Sequence, residues 1–302
     1  MVDVKKIGTE QRNEKTKDID IASTGEILKL INDEDKTVAF AVEKALTQIS
    51  ALVDQIVTQL KKGGRMIYMG AGTSGRIGVM DAAEVPPTFS VDPSVVQCLI
   101  AGGDWAMNHA VEGAEDSKEL AYEALEKVKL NADDVVIGIT ASGRTPYSVG
   151  GIEYANKLGC VTGCITTSPN SEIASKVKYP IEAITGAEPI TGSTRMKSGT
   201  AQKLICNMLT TATMIKLGKV YQNFMVDVQA TNEKLIKRSQ NIIVEATGVS
   251  FAEAAEAIEK FGSVKKALFA IITGTENQKI IDESLEATSG HLRKAIEKVK
   301  ND

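Results

Sequence analysis

The chain has 302 residues, 43% of them hydrophobic, enough to bury one large core or two smaller ones. Its formal net charge of −4 is mixed along the sequence, which excludes the basic stripe of a nucleic-acid surface. No apolar run approaches the ~20 residues of a membrane span, and the N-terminus has no secretory apolar segment, so a cytoplasmic protein is expected.

In chain order, the first residues, "MVDVKKIGTEQRNEKTKDID", are polar and read as extended. From Ser23 the pattern turns helical and stops at Lys61-Lys62-Gly63-Gly64. Val38, Val42, Ala45, Ile49, Leu52, Ile56 and Leu60 form one apolar stripe, suited to core packing or, alternatively, to a dimer seam. Five short β-branched runs follow: "RMIYMGAG", "VVQCLIAG", "DVVIGIT", "GCVTGCITT" and "YPIEAIT". Helical segments separate most of them, which predicts a parallel sheet covered on both faces, with ligands at the carboxyl ends of its strands. After Gln240 only helical segments remain, and Ser250 with Glu253 spells a capping box. Gly262, Gly274 and Gly290 stand where helices should stop. The expected organisation is therefore an α/β domain over residues 1–240 and a small helical subdomain over 241–302.

Four cysteines (Cys98, Cys160, Cys164 and Cys206) lack C-x-x-C spacing and read as reduced, mostly core residues. With only His109 and His291 besides, no catalytic metal is expected, and chemistry falls to carboxylates, hydroxyls and backbone amides.

Three turns carry such groups. The first, "GAGTSG", holds Thr73 and Ser74 between glycines after the first strand. It superficially matches a dinucleotide fingerprint. Hydroxyls inside the turn, and glycines instead of an acidic residue after the next strand, argue against that reading. The second turn, "ITASGRTPYS", places Ser142, Gly143, Arg144 and Thr145 before a helix N-terminus, where partial positive charge favours a phosphate. Neither loop ends in the G-K-[ST] of a nucleotide hydrolase. The third, "TGAEPITGSTRMKSGTAQK", alternates hydroxyls, Ser193 among them, with Arg195 and Lys197, and reads as an anion-binding wall of a polyol pocket. Two carboxylates stand near these turns. Glu84 precedes Val85-Pro86-Pro87, where the helix should break, and Glu115 sits in the acidic stretch "HAVEGAEDSKEL". As ordinary helix-end carboxylates both would simply be solvated.

Together "IYMGAGTSGRIGVMDAAEVPPTFS", "AVEGAEDS", "ASGRTPY" and "GAEPITGSTRMKSGTAQK" resemble the N-acetylmuramic acid 6-phosphate etherases, over nearly the whole chain. One departure is Glu14 after "TEQRN", where that family often has proline. The resemblance implies the sugar isomerase (SIS) fold, a three-layer α/β sandwich around a five-stranded parallel sheet. It also implies N-terminal helices, a small C-terminal helical (UBA-like) subdomain, a homodimer, and no cofactor. The implied reaction cleaves the D-lactyl ether of the sugar phosphate through two carboxylates, which by resemblance are Glu84 and Glu115. On this reading Glu84, desolvated at an apolar helix end, is the acid, its pKa raised, and Glu115 is the base. Thr73, Ser74, Ser142, Gly143, Thr145, Ser193 and Lys197 are the expected phosphate and sugar contacts. An aldose–ketose isomerase shares the proton-abstraction step and is the enzymatic alternative. A non-catalytic sugar-phosphate sensor is the other, and a DNA-binding regulator of this fold would need a basic helix-turn-helix that the acidic "INDEDK" does not supply.

Overall fold

A computed structural model describes residues 8–228 and 233–301. It divides into two compact units, one made of residues 1–83 and 93–210, the other of 84–92 and 211–302.

In the first unit the polar start is not extended over its described part, residues 8–21; residues 1–7, also expected to be extended, lie outside the described residues. The described part forms three short turns, Gly8–Glu10, Glu14–Thr16 and Ile19–Ile21. Ser23 then caps helix α1 (Thr24–Glu43) in a reciprocal capping box with Glu26. The helical pattern from Ser23 is two helices, because the Ala45 amide closes a tight bond to the Val42 carbonyl before α2 (Leu46–Leu60) begins. The stripe is core in both, with Val38, Val42, Ala45, Ile49, Leu52 and Ile56 buried.

The five predicted strands are all present: β1 (Met66–Gly70), β2 (Val96–Ile100), β3 (Val135–Ile139), β4 (Val161–Thr166) and β5 (Tyr179–Glu182). They form one parallel sheet in the order β2-β1-β3-β4-β5. Period-two alternation sends Ile67, Met69, Val136 and Cys164 to one face, where α4 (Lys118–Lys127) and α5 (Pro146–Lys157) complete the core. On the other face the Tyr68 hydroxyl reaches Asp81 of α3 (Gly72–Phe89) and the Cys206 carbonyl of α6 (Lys197–Lys216), and Leu52 of α2 packs on Gly163. The sheet is thus the middle of three layers, and its carboxyl edge carries every turn singled out above. Cys160, Cys164 and Cys206 are buried free thiols and Cys98 is half-buried.

Helix α3 corrects one expectation. It continues through Pro86 and Pro87 to Phe89, and the Ser90 amide still bonds the Pro86 carbonyl. Each proline forfeits one helical N–H bond, but its ring already holds φ at the helical value, so near the end of a helix two can be carried.

The second unit begins with residues Glu84–Asp92 and resumes at Thr211. It contains a hairpin that the sequence pattern did not reveal, β6 (Val220–Tyr221) paired with β7 (Phe224–Met225). Four short helices follow α7 (Glu233–Thr247), namely α8 (Phe251–Phe261), α9 (Val264–Thr273), α10 (Gln278–Ala287) and α11 (Leu292–Asn301). The Ser250–Glu253 capping box and the left-handed Gly262 and Gly274 stops are where they were expected. Ile243, Ala254, Leu268, Phe269, Ile281 and Ala295 are the centre of this unit's own core. Among the described residues no helix is long and apolar enough to cross a membrane.

Candidate active site

At the end of β1 the chain doubles back so tightly that side chains cannot be accommodated. A Cβ on Gly70 would lie 2.8 Å from the Gly75 nitrogen, and one on Gly75 would lie 2.6 Å from Ile100. This close return opens α3 directly at the sheet edge, with Gly72 at φ +53°. The first amides of a helix have no partner within it, so those of α3 face outward with Thr73 and Ser74 beside them. The Ser74 hydroxyl donates to the Gln202 side-chain oxygen (2.9 Å), which fixes its orientation.

The turn after β3 is built on Gly143, at φ +69°, where a Cβ would fall 2.2 Å from that of Ser171. The Thr140 and Thr145 hydroxyls pair at 2.8 Å, and the Ser142 hydroxyl accepts from the Arg144 amide (3.3 Å). Pro146 starts α5 with its fixed φ, while Thr145 at the N-cap lends no side-chain bond to the helix amides. The N-terminus of α5 is therefore open. Beside it the Arg144 Nε is buried and has no hydrogen-bond partner, a donor whose desolvation is uncompensated until an acceptor arrives.

Both turns line one cavity of about 430 Å³, to which Thr73, Ser74, Ser142, Arg144, Thr145 and Glu115 all contribute. Glu115 arrives on the short turn Ala114–Asp116, anchored by buried Ala114 and followed by Ser117, whose hydroxyl caps α4. Its carboxylate is exposed. Gly143 shapes the second turn from behind, without lining the cavity. Thr140, Asp116, Thr194 and Glu10 also line it. Arg144 was legible as a cation inside the turn. Glu10 lies in "TEQRN", which carried only the family likeness and no sign of a site, because only the fold brings this stretch to the sheet edge.

The third motif behaves differently. The buried Glu188 carboxylate accepts from the Lys197 amide (2.8 Å) and the Ser198 amide (2.9 Å), filling the N-terminus of α6. Lys197 is buried, 3% exposed, and its ammonium pairs with Glu34 of α1 at 2.6 Å. Lys15 and Asn13 also donate to Glu34. Burial by itself would raise the Glu34 carboxyl, but the hydrogen bonds from Lys197, Lys15 and Asn13 outweigh it and hold it below its ordinary value. The structure thus does not bring Lys197 to the cavity, and Ser193 does not line it either.

Glu84 is not among the residues that line this cavity. It lies on the part of α3 that belongs to the second unit, and its side chain is exposed. The apolar enclosure expected around it surrounds Val85 instead, which is buried. Successive helix residues point about 100° apart, so when Val85 faces the core its neighbour faces out.

Two family models match this chain, each over about a third of it. The glucokinase regulatory protein N-terminal SIS domain matches residues 48–156, and the SIS domain matches residues 110–212. An N-acetylmuramic acid 6-phosphate etherase of Clostridium botulinum (strain Eklund 17B / Type B) is 53% identical over 292 residues, 96% of this chain and 97% of that protein. One from Bacillus cereus (strain AH187) is 52% identical over 291 residues, 96% of this chain and 99% of that one. Among solved structures, a phosphoheptose isomerase from Neisseria gonorrhoeae, 13% identical, covers 63% of this chain and 98% of its own with a TM-score of 0.48.

Proposed function

The chain belongs to the N-acetylmuramic acid 6-phosphate etherase family, and from that premise we propose that it cleaves the D-lactyl ether at C3 of N-acetylmuramic acid 6-phosphate, yielding N-acetylglucosamine 6-phosphate and D-lactate, a step in cell-wall amino-sugar recycling. The observation that carries the reading for this chain is the cavity where the open N-terminus of α5, the first amides of α3, the hydroxyls of Thr73, Ser74, Ser142 and Thr145 and the unpartnered Arg144 converge beside a carboxylate. Two helix N-termini, hydroxyls and one guanidinium suit a phosphate dianion, and Glu115 is then left for the sugar.

An unactivated ether resists hydrolysis, so the route passes through the open-chain aldehyde, which acidifies the C2 proton. A carboxylate takes that proton. The electron pair forms the C2–C3 double bond, the C3–O bond breaks, and lactate leaves with a proton from a carboxylic acid. Water then adds at C3 while C2 regains a proton. Glu115 is the base of this proposal and Glu84 its acid, by resemblance to the family. Glu84 enters with no support from burial in the chain itself. Gly143 holds the phosphate turn in shape, and Lys197 acts indirectly, through its pair with Glu34 at the start of α6. A sugar phosphate does not cross membranes unaided, which favours a cytoplasmic enzyme, and the family resemblance favours a homodimer, measurable by light scattering.

A proton NMR time course in D₂O with N-acetylmuramic acid 6-phosphate tests this. Lactate release with deuterium at C2 of the product is expected, and Glu115→Gln should slow both by roughly 10²–10⁴-fold. Exchange at C2 without lactate would turn the reading to an isomerase.

A further inference from the structure

A second cavity, of about 220 Å³, opens beside the first and shares Ala71, Gly72 and Glu115 with it. It is smaller than the ~300–1,000 Å³ of pockets that hold a sugar-sized or larger ligand. Its walls divide by chemistry. Ala71, Ala106, Ala110 and Val111 are apolar, Glu112 and Glu115 are acidic, and Arg76 and His109 supply the potential cations.

Arg76 is held with unusual completeness on one side. Its Nε donates to the Ala106 and Met107 carbonyls and its Nη2 to the His109 carbonyl, all at 3.0 Å. These bonds pin the Asp104–Met107 turn and the residues after it against α3. They also leave Nη1 with no hydrogen bond and the guanidinium with no ion-pair partner among the described residues. A clamp for backbone carbonyls needs no net charge, yet here a permanent cation, rigidly oriented, lines a small cavity with its remaining edge unused. Such a group is suited to a carboxylate. The cavity meets the phosphate site at Glu115, the residue that the proposed mechanism places at the reacting carbons.

We propose that this second cavity is the subsite for the lactyl group, with Arg76 pairing its carboxylate and the Ala106, Ala110 and Val111 wall receiving its methyl. The proposal rests on the etherase reading and deepens it. Sugar-phosphate isomerisation needs only the first cavity, whereas ether cleavage needs a place for the acid that leaves. Glu112 and Glu115 would repel a carboxylate entering unpaired, so Arg76 is the specificity-determining residue of this lobe.

The test separates the two halves of the ligand. N-acetylmuramic acid 6-phosphate carries the lactyl group, and N-acetylglucosamine 6-phosphate lacks it. Wild type is measured first, and absence of lactate release would remove the etherase reading itself before any variant is examined. Given release, Arg76→Met should raise KM for the lactyl sugar by roughly ten- to hundred-fold, as expected for a lost charge-assisted hydrogen bond. It should leave the Kd of N-acetylglucosamine 6-phosphate within about two-fold. Because Arg76 also pins a loop, Ala110→Leu, which narrows the lobe and keeps every Arg76 bond, provides the decisive second reading. The same split, KM raised and product-sugar affinity kept, supports the subsite. An Ala110→Leu enzyme in which both sugars are unaffected, or in which both weaken alike, overturns it.

Discussion

Helices α5 and α6 both start at the carboxyl edge of one sheet after turns crowded with hydroxyls and cations, and by composition the α6 turn is the richer anion site. Their N-termini have opposite fates. That of α6 is already filled, its Lys197 and Ser198 amides bound by the buried Glu188 carboxylate and its lysine neutralised by Glu34. That of α5 has no side-chain cap, and the neighbouring Arg144 Nε lacks an acceptor. What marks a ligand site is therefore the donor left unused, not the density of donors. The α6 turn is instead a buried electrostatic joint that ties the chain start and α1 to the end of the sheet.

The comparison can be broken by substitution, and the largest effect is expected at that joint. Lys197→Met leaves Glu34 buried without its main partner and should cost about 3–5 kcal/mol in urea unfolding. The affinity of the folded fraction for N-acetylglucosamine 6-phosphate should not change; lost binding at full stability would reverse the assignment of the two helices. Glu188→Ala strips two α6 amides of a charged acceptor and should destabilise by about 2–3 kcal/mol, again sparing affinity. At α5 the pattern inverts. Arg144→Met should weaken sugar-phosphate binding about ten-fold or more, with stability within about 0.5 kcal/mol, since no protein contact of Nε is lost. The smallest effect is on pH dependence. Glu34 titrates below its ordinary value of 4.5 in the folded state, so on acidification the unfolded chain takes up that proton first. Stability contributed by the joint is present above 4.5 and falls as pH drops below it. Glu34→Gln should flatten the acid limb of a stability–pH curve, and an unchanged limb would remove Glu34 from the account.

The sheet was legible because each strand is a short apolar run closed by Gly, Pro, Asn or Asp, and all five lie where those runs are. The C-terminal helices were legible through local caps, Ser250 with Glu253 and the left-handed glycines. What stayed hidden is non-local. Glu188 caps a helix from across a turn, not from the N-cap itself, and Glu34 reaches Lys197 from a helix far earlier in the chain. Two-residue strands such as Val220–Tyr221 are too short to show alternation. Pro86 and Pro87 signalled a break that α3 absorbs within its last turn. For the candidate site, spacing located Thr73, Ser74, Ser142 and Thr145, while Glu10 and the adjoining lobe against Arg76 depended on which loops the fold sets side by side.

The measurement that bears most directly on the central claim is a titration of the ¹⁵N-labelled protein with N-acetylglucosamine 6-phosphate, followed through its backbone amide resonances. The account predicts saturable shifts at Thr73, Ser74 and residues 142–145, 147 and 148, with the Lys197 and Ser198 amides unmoved because Glu188 already holds them. Shifts centred on Lys197 and Ser198, with the α5 turn silent, would contradict it.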